Sequence, residues 1–159
     1  ALPILMISNV SGNFGQFAAE AMTSEEDFST ANFKFNAAID SINTGVADRD
    51  GHLKSADFFD AANHPELQFQ STSVKKISDN ELQISGNMNI KGIEKPVTLT
   101  ADFAGIAVDP YGQTKAGMSI TGKIKRSDFG LTWSAVTEAG NIVVGDEIQL
   151  NCEIQLIKQ

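Results

Sequence analysis

Apolar residues recur at every second position through five stretches of this chain, a period that places them on one face of a β-strand and scatters them around a helix. Phe33, Phe35, Ala37 and Ile39 alternate with Asn32, Lys34 and Asn36. Leu82, Ile84, Gly86, Met88 and Ile90 alternate with Gln83, Ser85, Asn87 and Asn89. The pattern returns in Val97 to Phe103, in Met118 to Ile124, and in Ile148, Leu150, Cys152, Ile154 and Leu156. One dry and one wet face per strand is antiparallel-sheet behaviour, since parallel sheets are buried on both sides. Turn residues punctuate the runs at Ser78-Asp79-Asn80, at Gly92 to Pro96, at Asp109-Pro110-Tyr111-Gly112 and at Glu138 to Asn141. Less regular strands at 2–10, 11–17 and 65–76 bring the expected total to about eight. One helical insertion is expected from Val46 to Lys54, followed by Asp57 to Asp60. No repeat, low-complexity tract or linker divides the 159 residues, so residues 1–159 read as a single all-β domain.

Such strands close into a barrel or split into a sandwich, and an eight-stranded barrel is either filled by its side chains or holds one ligand. Four dry faces carry a small residue near the middle, at Ala37, Gly86, Ala101 and Gly122, with Phe35, Met88, Phe103 and Ile120 among the large residues beside them. Those small residues leave room at mid-depth, while a strand glycine equally marks a bulge or a barrel corner. The dry faces lack ionisable groups, so a polar substrate finds few partners there. A lipid tail finds many, at about 0.8 kcal/mol gross per buried methylene.

Twelve basic residues against twenty acidic ones give a net charge of -8, which repels nucleic acid and anionic headgroups at long range. No apolar run approaches the roughly 18 residues that a membrane span needs. Cys152 is the only cysteine, reads as a small buried hydrophobe, and leaves the compartment undecided. Nothing resembling a signal peptide precedes Ala1, which decides little if the chain is a processed form.

Reactive side chains are densest from Asp48 to Asp60. A calcium loop fails there, because Gly51 comes too early after Asp48 and no glutamate closes the loop. His52 and His64 lack partners at zinc-ligand spacing, so no metal site is expected. Asp50, His52 and Asp57 are the residues a hydrolase or isomerase acting on a lipid-like substrate would use, although aspartates around a short helix are commonly caps. Arg49 and His52 stand three apart on the expected helix and thus on one side of it, where they would meet the polar head of a ligand. Phe58 and Phe59 would then line the mouth. No nucleophile elbow, phosphate-cradling loop or paired-cysteine motif is present. Trp133 reads as a large core or barrel-closing residue, and Asn9-Val10-Ser11 is a glycosylation triplet of the kind chance supplies often.

Several of these segments together resemble one family. Arg49-Asp50-x-His52-Leu53 with Ser55-x-Asp57-Phe58-Phe59-Asp60, His64-Pro65 followed by Phe69, Gly92 to Pro96 continued by Val97, and Arg126-Ser127-Asp128-Phe129-Gly130-Leu131-Thr132-Trp133 are similar in order and spacing to the YceI-like polyisoprenoid-binding family. The resemblance runs from about Ser8 to Ile157. It implies an extended eight-stranded, antiparallel, lipocalin-like β-barrel with one short helical insertion, which binds a long isoprenoid or related amphiphilic lipid in an apolar tunnel without catalysing a reaction. One part of the family pattern, an opening strand with Trp-x-x-Asp and an early His-Ser pair, is not in the sequence given.

On that resemblance and the dry faces together, the tunnel lining is expected from Phe33, Phe35, Phe58, Phe59, Phe69, Met88, Ile90, Leu99, Phe103, Met118, Ile120, Phe129 and Trp133, with Arg49 and His52 near the head group. The expected ligand is a ubiquinone-like isoprenoid quinone or a polyprenyl phosphate, and no catalytic cofactor is expected. The family implies a periplasmic or secreted location, with the cytoplasm left open, and the oligomeric state, including a homodimer, is not set by any residue pattern. A packed β-sandwich serving as an attachment or carbohydrate-binding module of a larger secreted protein is the remaining alternative.

Overall fold

A computed structural model of the protein describes residues 11–23, 28–131 and 146–158. Among these residues the strands are β1 (Asn13–Phe14), β2 (Phe17–Met22), β3 (Asn32–Ala38), β4 (Ile42–Asn43), β5 (Glu66–Ser78), β6 (Glu81–Ile90), β7 (Ile93–Val108), β8 (Thr114–Lys125) and β9 (Glu147–Ile157). One α-helix, α1 (Ala47–Lys54), stands between β4 and β5. Seven strands form one sheet in the order β2-β3-β5-β6-β7-β8-β9, with every neighbouring pair antiparallel. The outer strands β2 and β9 come into contact, which makes the sheet a nearly closed barrel. Strands β1 and β4 pair separately.

Chain order follows from the turns. Lys91 and Gly92 both have positive φ, 55° and 77°, so β6 returns as β7 through a two-residue hairpin whose twist matches that of the strands. The connection expected over Gly92 to Pro96 is therefore shorter, and Pro96 lies inside β7 opposite Asn87. A proline is tolerated there because the β7–β8 ladder begins only at Thr100 opposite Thr121, so the first half of β7 has an edge on that side. Asp109 shapes the β7–β8 turn by accepting from the N–H groups of Tyr111 and Gln113, both at 2.9 Å.

Two expectations about strands change. Of the segment 11–17 only the short β1 and the first residue of β2 are strand, and the main sheet has seven strands among the described residues where about eight are expected. The expected strand at 2–10 lies outside the described residues, as does the connection at Glu138 to Asn141. The helix starts within one residue of its expected position, while 55–59 form turns rather than continued helix.

The alternating residues all project into the barrel. Ladder partners Phe35 and Phe69, Phe69 and Met88, Ile84 and Leu99, Ala101 and Ile120, and Ile120 and Cys152 carry that face across β3, β5, β6, β7, β8 and β9. Leu82, Ile84, Ile90 and Ala101 are fully buried.

Candidate functional site

Two mid-strand glycines place the free space in the barrel by excluding it from their own surroundings. A Cβ on Gly86 would lie within 3.0 Å of the Gln70 carbonyl oxygen, the Ser71 Cα and the Phe69 ring. The β5 backbone comes this close because a bulge between Ser71 and Ser73 bends it, and the Ser71 hydroxyl accepts from the Phe33 N–H at 2.8 Å. A Cβ on Gly122 would meet the side chain of Leu99. Ala37 and Ala101 are fully buried. The small residues therefore do not hold a hollow open at mid-depth: neighbouring side chains and backbone occupy the space they leave.

Exposure lies elsewhere on the inner face. Phe33, Phe69, Met88, Ile90, Leu99 and Met118 are buried in the packed side of the barrel, built from β3 and β5 to β8, and Phe129 is buried in the turn that follows β8. The inward residues of β9, Ile148, Leu150, Cys152, Ile154 and Leu156, are only half-buried, as are Ile120, Phe103, Phe35 and the β2 residues Ala19 and Ala21. They form an apolar wall, running the length of β9, that packs against the core without being covered by it. Burial pushes the Cys152 thiol above its ordinary range, so at neutral pH this wall bears no thiolate. Sequence alternation identifies every β9 residue of the wall, yet none stands in the expected lining, because alternation gives the face of a residue and not how tightly it is packed.

One end of the barrel is closed by the segments that carry the family resemblance. Arg49 donates from Nε to the Thr44 hydroxyl at 2.8 Å and from Nη2 to the Thr44 carbonyl at 2.7 Å. The Asp50 carboxylate accepts from both the hydroxyl and the N–H of Thr44, and these bonds hold its carboxyl below the usual range. His52 pairs through Nε2 with Asp57 at 2.9 Å, and its ring meets Phe58 edge-on at 5.1 Å. Arg49 thus reaches back to the loop before α1 and His52 forward to the turns after it. Phe58 is buried, and half-buried Phe59 packs edge-on with Phe14. The His64 ring lies over Gly92, and Arg126, itself buried, donates from Nη1 to the Leu131 carbonyl at 2.6 Å. Ser127 ties this turn to β9 by donating from its N–H and its hydroxyl to the Asp146 carboxylate. Where β7 and β8 part beside it, a cleft of about 450 Å³ opens, lined by Lys95, Val97, Lys123, Ile124, Asp128 and Glu147 among others and by none of the residues of the β9 wall. Its mixed lining, in which five residues are charged, makes it unlike the apolar interior. Trp133 lies outside the described residues.

At the opposite end Phe28 turns in from the connection before β3. It is buried, stacks on Phe33 at 6.3 Å and meets Phe103 edge-on at 5.2 Å. Its φ of 61° is costly for a bulky residue, and burial of the ring offsets that cost. No sequence signal marks Phe28, since positive φ is ordinarily read from glycine or asparagine. Among the described residues no group of three or more histidine, cysteine or acidic side chains is placed to hold a metal ion, and no helix is long and apolar enough to cross a membrane.

The same barrel occurs in solved proteins. The YceI protein of Campylobacter jejuni superposes with a TM-score of 0.84 at 33% identity, covering 96% of this chain and 87% of that one. Protein YceI of Salmonella arizonae is 37% identical over 148 residues, which are 93% of this chain and 74% of that protein. The model of the YceI-like domain matches residues 2–156. This chain belongs to the YceI-like family. BcnA of Burkholderia cenocepacia, at 20% identity and a TM-score of 0.81 over 96% of this chain, shares the fold. Arg49, His52, His64, Gly92 and Arg126, from segments far apart in sequence, come together at one end of this barrel.

Proposed function

We propose that this YceI-like domain is a non-enzymatic carrier that shields the tail of a long-chain isoprenoid lipid, an isoprenoid quinone such as ubiquinone or a polyprenyl phosphate, inside its barrel. The observation that carries this function is the half-buried wall of Ile148, Leu150, Cys152, Ile154 and Leu156, continued by Ile120, Phe103 and Phe35. Apolar surface left partly uncovered on the inside of a barrel is stabilised by an apolar occupant, at about 25 cal/mol per Å² removed from water. Ordering the tail offsets part of that gain, so the area does not convert directly into affinity.

The polar groups at the closed end support binding better than catalysis. Asp50, His52 and Asp57 are engaged with Thr44 and with one another rather than aimed at the apolar wall. In this account Arg49 and His52 shape the segment that closes the end, and the lipid is held by its tail. A periplasmic or secreted location fits a carrier that takes its cargo from one membrane and releases it to another.

The test is to incubate the protein with a long-chain ubiquinone or a polyprenyl phosphate in mild detergent, separate free lipid by gel filtration, and quantify what co-elutes. About one lipid per chain is expected, with at least tenfold less for Leu150→Asp combined with Ile154→Asp. Equal retention by wild type and variant would overturn the assignment of the wall.

A further inference from the structure

Past Asp102, where the ladder with β6 ends, β7 and β8 run on beside β9 toward the β7–β8 turn, and the apolar inner row of β7 becomes exposed along the way. Phe103, Ile106 and Val108 share the inward face, because their partners Met118, Ala116 and Thr114 alternate regularly along β8 while a bulge next to Gly105 absorbs the extra residue of β7. Exposure rises along that row, from half-buried Phe103 to 41% at Ile106 and 66% at Val108, and Tyr111 in the turn is 91% exposed. With the bulge taken out, Phe103 and Val108 are as far apart as their partners Met118 and Thr114, four steps or roughly 13 Å of strand. The apolar lining of the interior therefore runs without a break onto the tip.

Charge singles out the same tip. In a chain of net charge -8, the fifteen residues from Phe103 to Gly117 contain only two charged side chains, Asp109 and Lys115. These pair with each other at 2.9 Å and are only 15% and 26% exposed. The hairpin itself is thus neutral, with its one ion pair largely withdrawn from water, and the exposed Lys158, whose N–H donates to the Thr114 carbonyl, stands beside it.

We infer that the tip of the β7–β8 hairpin, through Ile106, Val108 and Tyr111, docks the protein on the surface of a neutral, zwitterionic bilayer and forms the path by which lipid passes between membrane and barrel. The turn of a hairpin that offers three exposed apolar side chains, Ile106, Val108 and Tyr111, falls far short of the roughly 20–30 residues a side of a stable protein interface. A bilayer can close around such a shape, and tyrosine beside aliphatic residues suits the boundary between headgroups and acyl chains. The neutral tip presents no charge that zwitterionic headgroups would repel, whereas the acidic body is held off an anionic membrane. The inference rests on the carrier function for the purpose of the contact, not for the contact itself.

The experiment uses the full chain loaded with ubiquinone, phosphatidylcholine vesicles, and the double variant Val108→Asp with Tyr111→Asp; bound lipid is quantified separately in both proteins. Flotation should recover wild type with the vesicles and at least tenfold less of the variant. Transfer of ubiquinone to acceptor vesicles should quicken in proportion to vesicle concentration for wild type and lose that dependence in the variant. The conservative Tyr111→Trp should retain both properties. Wild type that carries lipid but does not float, or whose transfer rate is independent of vesicle concentration, would overturn the docking and leave the carrier function standing. Flotation lost in the double variant of a chain that takes up no lipid would keep the docking and remove the carrier function. A dimer in sedimentation that Val108→Asp dissolves, without vesicle association by the wild type, would show that a second copy covers the tip and would also overturn the proposal.

Discussion

Replacing Gly86 by alanine distinguishes a filled mid-barrel from a hollow one. The added Cβ would lie within 3.0 Å of the Gln70 carbonyl oxygen, the Ser71 Cα and the Phe69 ring, two of which are backbone atoms on the neighbouring strand. Backbone at a bulge cannot rotate out of the way as a side-chain end can. The cost therefore falls toward the upper part of the range for overpacking, about 3 kcal/mol. Alanine recovers about 0.5 to 1 kcal/mol of the conformational entropy that glycine loses on folding, leaving a net destabilisation of about 2 kcal/mol. For a domain of this length that lowers Tm by roughly 4–8 °C. Gly51 is the control: it lies in α1 with open space around its Cα, so Gly51→Ala should leave Tm unchanged or raise it by up to about 3 °C. Differential scanning calorimetry on the purified variants checks both. If Gly86→Ala were as stable as wild type and bound less lipid, the space beside Gly86 would be hollow and the packing argument wrong.

Phe28→Ala should destabilise the protein by about 2–3 kcal/mol in urea unfolding, below the usual cost of a buried phenylalanine because part of the strain at positive φ is relieved. A loss under 0.5 kcal/mol would mean that the ring does not pack on Phe103. The carboxyl of Asp50 is depressed by the Thr44 hydroxyl, so the stability it contributes is complete above pH of about 4 and is lost as pH falls through its lower folded-state value. Thr44→Val should move that titration upward, which carboxyl-selective NMR reads directly; an unchanged Asp50 titration would refute the bond. Maleimide labelling of Cys152 should be slow at neutral pH, because burial raises the thiol, and at least tenfold slower in the lipid-loaded protein. Equal labelling with and without lipid would place the ligand away from β9.

Much of the fold was legible in sequence because an antiparallel strand writes its two faces into alternate residues. In Leu82 to Ile90 and Ile148 to Leu156 alternation alone gives the face that the structure buries. Hairpins were legible where turn chemistry is local, as at Asp79-Asn80 and Asp109 to Gly112, and misjudged where it is not. Pro96 reads as a turn residue until the edge left by the parting of β7 and β8 is known. The site was harder to read for a related reason. Gly86 and Gly122 looked like gaps because a sequence records the size of a side chain but not what fills the space beside it. Phe69 and Leu99, from neighbouring strands, do so. Arg49 and His52 stand out in the sequence for their chemistry, yet their bonds to Thr44 and Asp57 depend on a loop and a turn whose positions periodicity does not give.

The central claim is that the barrel encloses one isoprenoid lipid along β9. Native mass spectrometry of the protein purified gently from its source, without added lipid, tests it most directly. The spectrum should contain a species heavier than the 17.0 kDa chain by several hundred daltons, roughly the mass of one long-chain isoprenoid, released on collisional activation and lost in Leu150→Asp with Ile154→Asp. A single lipid-free species, from a protein that also refuses ubiquinone and polyprenyl phosphate in solution, would contradict it.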